Sequence, residues 1–203
     1  MAIDYAKKRK QLRDTGIPLH QWDEEFSQLL ERVNTLAPNV FVEIGSAFGG
    51  SLWMISQYVK PGATIVSIDM PLAKPNSQAA KKLVAAQLRM QGAQVHLLEA
   101  SSQVPETIDT VRSILKERLI DFLFVDGNHQ FPAVLADWTN YYPLVRGGGL
   151  IALHDIVQKT ERRRKSVPQV WMLWRALATI LKHEEFVSKP KRGRGIGILW
   201  KPE

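Results

Sequence analysis

Apolar positions recur along this chain in two alternating rhythms. Trp22, Phe26, Leu29, Leu30, Val33 and Leu36 fall at helical spacing, and Pro38-Asn39 stops the pattern, so a helix is predicted over 22–36. Short apolar runs at 40–44, 63–68, 94–98, 120–125 and 149–153 read as five buried strands. Between them, 50–59, 77–90, 105–117 and 130–142 carry helical periodicity, with Pro105 suited to a first turn. Strands that alternate with helices require right-handed crossovers and a mostly parallel sheet covered on both faces, which is a doubly wound α/β fold.

The rhythm then changes. A basic loop at 158–166 precedes a helix over 168–182 and two strands, 185–187 and 195–200. Only "KPKRGRG" (189–195) joins those strands, too short for a parallel crossover, so they should form an antiparallel hairpin. Val170, Trp171, Trp174, Leu177, Ala178 and Leu181 form an apolar stripe expected in the core, with a dimer face as the alternative use.

Composition narrows the class. A chain of 203 residues can bury one α/β core, and the absence of cysteine excludes disulfides and thiolate metal sites. Residues 1–10 lack the apolar core of a signal peptide and no run is long enough for a membrane span, so a cytoplasmic location is expected. The net charge of +7 points to an acidic small molecule or a nucleic acid as partner, or to no more than solvated basic faces.

The chemistry begins at "VEIGSAFGGS" (42–51), where an acid and three glycines follow an apolar run. A strand ending in glycine turns opens a hole at its carboxyl end, and the next helix points N–H groups at it, the outline of a nucleotide-cofactor site. Asp69 ends the following strand, and its pairing with the glycine loop strengthens that outline. A nicotinamide domain uses a similar turn but favours G-x-G-x-x-G, and the glycines here are spaced differently. Asp126 closes the fourth strand and His154-Asp155 the fifth, so their side chains can converge where open sheets bind ligands.

The stretches "VEIGSAFGGS" (42–51), "IVSIDM" (65–70), "DFLFVDGNHQF" (121–131) and "GGGLIALHD" (147–155), with the layout of five strands plus a terminal hairpin, carry a resemblance to class I S-adenosylmethionine-dependent methyltransferases. More narrowly, the chain resembles the metal-dependent O-methyltransferase-like group that includes the cephalosporin-hydroxylase-like proteins. The resemblance implies a Rossmann-like seven-stranded sheet over 39–203, with 1–38 a helical segment forming part of an acceptor cap. It implies S-adenosylmethionine as cofactor, bound by Glu43, Gly45, Ser46, Gly49, Ser51, Asp69, Ser101 and Asp126. Ser101 stands where relatives often carry an acid beside the adenine. Asp126, His154 and Asp155 match the positions that hold a divalent cation: Mg²⁺ where ligands are all oxygen, Mn²⁺, Fe²⁺ or Zn²⁺ where an imidazole joins them.

His129, three residues after Asp126, stands where metal-dependent relatives commonly place a lysine base, and an imidazole can take a hydroxyl proton at neutral pH. The expected activity is O-methylation of a hydroxylated small molecule, with Asp126 and His129 at the reacting centre. The alternatives are an RNA or DNA methyltransferase and a non-catalytic cofactor-binding partner protein. Residues 159–165, with Arg162, Arg163 and Arg164, are expected to form a lid that recruits an anionic acceptor. A homo-oligomer is compatible with the pattern.

Overall fold

A computed structural model describes residues 3–71, 76–158, 167–189 and 194–203. The lid expected over 159–165 lies outside them. The elements run α1 (Tyr5–Asp14), α2 (Asp23–Leu36), β1 (Val40–Ile44), α3 (Gly50–Ser56), β2 (Thr64–Ile68), α4 (Ser77–Met90), β3 (Gln94–Leu98), α5 (Pro105–Leu115) and β4 (Ile120–Val125). They continue with α6 (Phe131–Tyr141), a 3₁₀ turn (Tyr142–Leu144), β5 (Val145–His154), α7 (Val170–Ala178), β6 (His183–Phe186) and β7 (Ile196–Trp200). One seven-stranded sheet has the order β3-β2-β1-β4-β5-β7-β6. The first five strands are parallel, and β7 runs antiparallel to both β5 and β6. The mostly parallel doubly wound sheet and its terminal antiparallel hairpin are thus as the pattern required.

Alternation along β1 distributes the core between two faces. Phe41 packs with Phe26, Leu29, Leu30 and Val33 of α2 and with α3 and α4, while Val40, Val42 and Ile44 pack with α5, α6 and α7 on the other side. The stripe on α7 faces this second layer: Val170, Leu173, Trp174 and Leu177 are buried, and the Trp174 ring lies over Gly197, where a Cβ would come within 2.4 Å of it. Those four residues are therefore core, while Trp171 is only half-buried, with its ring 4.9 Å from the Arg175 guanidinium carbon.

Helix α1 and strand β5 depart most from the expected pattern, while α7 is shorter than 168–182 and β6 starts at His183 rather than 185. Helix α1 buries only Leu12 and has no apolar stripe, so periodicity could not announce it. It is held by polar contacts instead: Asp4 caps the Lys7 N–H, and Tyr5 and Arg9 reach Asp23 of α2. Strand β5 begins at Val145 rather than 149, because its three glycines take part in the strand while the register against β4 shifts between Ile120 and Phe122.

Helix α2 is tied to the hairpin by Glu25, a fully buried carboxylate that accepts from the Ser188 N–H at 3.0 Å, its hydroxyl at 2.9 Å and the Gly195 N–H at 3.2 Å. A buried charge is tolerable when its lone pairs are filled in this way. Asp137 on α6 is less well served. Its Oδ1 accepts from the Ser102 hydroxyl at 2.6 Å, but Oδ2 has no partner among the described residues, and burial pushes the carboxyl up to about 6.

The sign follows. Between the unfolded carboxylate range near 4 and about 6 the native state holds more protons, so this group's contribution falls as pH rises through that window. Denaturant titrations of Asp137→Asn against the parent should show the variant gaining roughly 3 kcal/mol of relative stability between pH 4 and pH 7. A constant difference across that range would mean Asp137 titrates normally.

Candidate functional site

Hydrogen bonds of the sheet run past the formal strand ends and fix the site's backbone. Gly45 donates to the Ile68 carbonyl, Asp126 to the Ile44 carbonyl and Asp69 to the Leu98 carbonyl, at 2.8, 2.8 and 3.0 Å. Glu43, Asp69, Asp126 and Asp155 consequently stand at the carboxyl ends of β1, β2, β4 and β5, four strands that are neighbours in the sheet.

Glu43 is fully buried in β1, between Ser67 of β2 and Phe124 of β4. Neither of its carboxyl oxygens has a well-aligned hydrogen-bond partner among the described residues, although the Ser51 hydroxyl is close enough to stabilise the charged form. Burial pushes its carboxyl up to about 8, Ser51 and Lys81 pull it back, and Asp126 and Asp69 push it further up. Beyond Ser51 an acid placed so has no structural partner to justify it, and its remaining acceptor capacity marks a place for a donor that the chain does not supply.

The glycine loop shows what its backbone approaches. A Cβ on Gly45 would lie 2.2 Å from the Asp126 carbonyl oxygen, and one on Gly50 would lie 2.1 Å from the Pro18 carbonyl oxygen. Gly45 therefore lets β1 close on the end of β4, and Gly50 lets the N-terminal strap cross the start of α3. Gly49, with φ of 88°, precedes α3 in a conformation that suits glycine. Between them Ala47, itself at φ 48°, donates its N–H to Asp69 Oδ2 at 2.7 Å, and Ser46 accepts from the Ser67 hydroxyl at 2.8 Å. The loop is thus drawn onto β2. Ser51 is buried on the first turn of α3.

Asp69 also receives Lys81 of α4, 3.3 Å away and almost wholly buried. Sequence reading missed Lys81 because a single lysine on a helix is ordinarily a solvated one. Ser101 lies further out, on the loop after β3, where its hydroxyl accepts from the Gln103 N–H at 3.3 Å. That contact is a local turn.

At the ends of β4 and β5 the polar side chains form a continuous chain. Gln21 donates to Asp126 Oδ2; Asp126 Oδ1 lies 2.9 Å from His154 Nδ1; His154 Nδ1 lies 3.5 Å from Asp155 Oδ1; and Asp155 Oδ2 lies 2.9 Å from His129 Nδ1. Asp155 adopts φ 61°, which turns its carboxylate back between the two imidazoles. The His129 backbone is fixed by its carbonyl, which accepts from the Gln169 N–H at 2.7 Å just before α7. The two imidazoles share a direction for different reasons. For His129, the hydrogen bond to Asp155 raises its pKa against the effect of burial. For His154, burial opposes the charge, yet the adjacent Asp126 and Asp155 carry it up to about 9. Asp155 is lowered: burial opposes its charge, but His129 and His154 overcome that.

The three residues expected to hold a metal are therefore together, but turned toward one another. Among the described residues no three His, Asp or Glu donors surround a common point. Two carboxylates and an imidazole are donor types that suit a divalent cation, which would engage His154 only by displacing the proton that Asp126 and Asp155 hold on it. Gln21 is a site residue that no motif announced; it precedes α2 and carries no periodic or compositional signal. A cavity of about 550 Å³ opens nearby between residues 15–18, Phe48 and the start of α4, and none of the four acids lines it.

Comparison with known proteins agrees with this layout. A "Methyltransferase domain" family model matches residues 42–156, from the glycine loop to just past Asp155. The uncharacterized protein R132 of Acanthamoeba polyphaga mimivirus is 33% identical over 115 residues, and the chain spans about half the length of that relative: the match covers 57% of this chain and 50% of the other. Among solved structures, the O-methyltransferase TomG of Streptomyces achromogenes, involved in tomaymycin synthesis and bound to S-adenosylmethionine, is similar with a TM-score of 0.68 at 16% identity, covering 98% of this chain and 89% of that one. The O-methyltransferase of Bacillus cereus bound to S-adenosylhomocysteine is similar with a TM-score of 0.65 at 15% identity, covering 97% and 90%. At such identities the structural likeness is one of fold, and the family is shown by the model that matches residues 42–156. By that match the chain belongs to the methyltransferase-domain family, with the class I architecture.

Proposed function

We propose that this protein is an S-adenosylmethionine-dependent O-methyltransferase acting on a hydroxylated small molecule. The observation that carries the cofactor is Glu43: a buried carboxyl that only the Ser51 hydroxyl serves suits the ammonium of a methionine moiety better than any packing role. Asp69 supports the reading, since the Ala47 N–H and Lys81 both engage Oδ2 and so aim the carboxylate from one side. The bound cofactor would supply an activated methyl group whose sulfonium leaves as a neutral thioether.

The acceptor side rests on His129 and Asp155. Asp155 holds Nδ1 of His129, which leaves Nε2 as the basic atom and stabilises the imidazolium formed when it takes a hydroxyl proton. Asp126, His154 and Asp155 would hold a divalent cation, which when bound lowers the pKa of a coordinated hydroxyl and orients it. Gln21 and Asp126 close the site between the N-terminal strap and β4.

The cofactor reading is tested by thermal shift: S-adenosylmethionine and S-adenosylhomocysteine should raise the melting temperature by mass action, and NAD should not. Stabilisation by NAD alone would assign the site to a dinucleotide. Glu43 sharpens this. With its pKa near 8, it is protonated at pH 7 in the free protein, and an ammonium against it would drive the proton off. Calorimetric binding of S-adenosylhomocysteine at pH 7, in buffers of differing ionisation enthalpy, should register release of up to about one proton, and affinity should climb toward pH 8. Glu43→Gln should abolish the release. Uptake of protons, or none in the parent, would place the ammonium elsewhere.

For the chemistry, His129→Gln should leave S-adenosylhomocysteine affinity unchanged while slowing single-turnover methyl transfer roughly 10²–10⁴-fold. Normal turnover would reduce His129 to a turn residue. Chelation separates the metal from the base. Activity lost in chelator and restored by Mg²⁺ or Mn²⁺ is the expected result, whereas full activity would leave His129 and Asp155 as the activating pair.

A further inference from the structure

The tripeptide His20-Gln21-Trp22 crosses the carboxyl edge of the sheet and holds two things at once. Gln21 bonds to Asp126, while the His20 carbonyl accepts from Arg194 Nη1 at 2.6 Å and the Trp22 ring lies 5.2 Å from the Arg194 guanidinium carbon. The Arg194 backbone meets the site from the other side: its carbonyl accepts from the Val157 N–H at 3.0 Å, two residues past Asp155. Arg194 is thus set between the N-terminal strap and the end of β5, half-buried, and its positive field reaches both His154 and Asp155.

Among the described residues the hydrogen-bond and ring partners of Arg194 are neutral. Its hydrogen bond goes to a carbonyl and its face to an indole, and among the described residues no Asp or Glu forms an ion pair with it. A second cation, Lys189, stands 5.1 Å from the same Trp22 ring and likewise pairs with no carboxylate among the described residues. Two like charges gathered on one aromatic ring, beside a site rich in carboxylates yet bonded to none of them, make a local positive excess. A guanidinium has five N–H groups in a fixed fork and spends one on His20, and carboxylates and phosphates are the groups that take two in parallel.

We propose that Arg194, seated on Trp22 at the mouth of the site, receives an anionic group, carboxylate or phosphate, carried by the hydroxylated acceptor. This rests on the methyltransferase reading above and names the substrate class that it leaves open. The geometry requires the oxyanion and the methylated hydroxyl to be separate groups of one acceptor, the first toward Trp22 and the second toward His129. Neutral analogues of the same shape would lose the charged contact and leave Arg194 and Lys189 uncompensated, so charge would be the first thing this site selects.

The test is binding to the protein saturated with S-adenosylhomocysteine, by calorimetry at low salt, with two matched pairs: 3,4-dihydroxybenzoate against 3,4-dihydroxybenzamide, and 4-hydroxyphenyl phosphate against its neutral dimethyl ester. At least one acid should bind tenfold or more tightly than its neutral partner, and which pair shows this tells carboxylate from phosphate. Raising the salt should erode that preference. Arg194→Gln should abolish it without changing S-adenosylhomocysteine affinity. Arg194→Lys, which keeps the charge and a donor for His20 but not the fork, should retain a preference weakened several-fold, and it serves if the glutamine variant does not fold. Acids and neutral partners binding alike, or failing to bind alike, overturns the inference while the methyltransferase reading stands, as does a preference that survives Arg194→Gln. A protein that does not bind S-adenosylhomocysteine overturns both.

Discussion

Four carboxyl groups on four adjacent strand ends, with strands about 4.8 Å apart, would repel one another in a poorly solvated edge, and the site's construction follows from how each is dealt with. Glu43 is dealt with by burial, which favours its neutral form. Asp69 has the Ala47 N–H and Lys81. Asp126 has Gln21 and His154, and Asp155 sits between His154 and His129. Every compensating group but Ala47 is a side chain brought from a different part of the chain: the strap before α2, helix α4, the loop after β4 and the end of β5. The fold's connectivity is what makes those parts meet, because parallel strands deliver all their carboxyl ends to one edge.

That constraint explains what could be read from the sequence. Strands β1, β2, β4 and β5 were legible because a strand buried on both faces must be largely apolar, and Val40–Ile44 and Ile120–Val125 are so apart from Glu43 and Asp121, while the partly buried edge strand β3 shows only a short apolar run. The acids at strand ends were legible for the same reason: an acid ending an apolar run is conspicuous. Helix α1 was not legible, since its only buried residue is Leu12 and its stability comes from Asp4, Tyr5 and Arg9 reaching polar partners. Lys81, Gln21 and Arg194 were equally invisible as site residues. Each is an ordinary polar residue in sequence and becomes part of the site only through separations of 12 residues for Lys81 from Asp69, 105 for Gln21 from Asp126 and 174 for Arg194 from His20.

The N-terminal strap has a role that its sequence does not declare. It crosses α3 at Gly50, engages Asp126 through Gln21 and supports Arg194 through His20 and Trp22, while Glu25 one turn into α2 binds Ser188 and Gly195 on either side of the hairpin link. These contacts couple the two ends of the chain over the same edge of the sheet. Glu25 is the fixed point, because a buried carboxylate with three donors is costly to unpair. Arg194 is positioned one residue from that point, at Gly195, so the rigidity of the latch passes to a cation that faces the site.

The glycine loop shows why a motif identifies a family more readily than it explains itself. Gly45 and Gly50 require the absence of a side chain because protein backbone comes within about 2 Å of where a Cβ would stand, the Asp126 carbonyl in one case and the Pro18 carbonyl in the other. The spacing of the glycines therefore encodes the convergence of β1, β4 and the strap. Glu43, two residues before Gly45, stands on the face of β1 that looks toward α3 and α4, where the proposed cofactor's ammonium would meet it. A glycine in such a loop reports that something passes close. The buried carboxyl beside it reports what kind of group should follow.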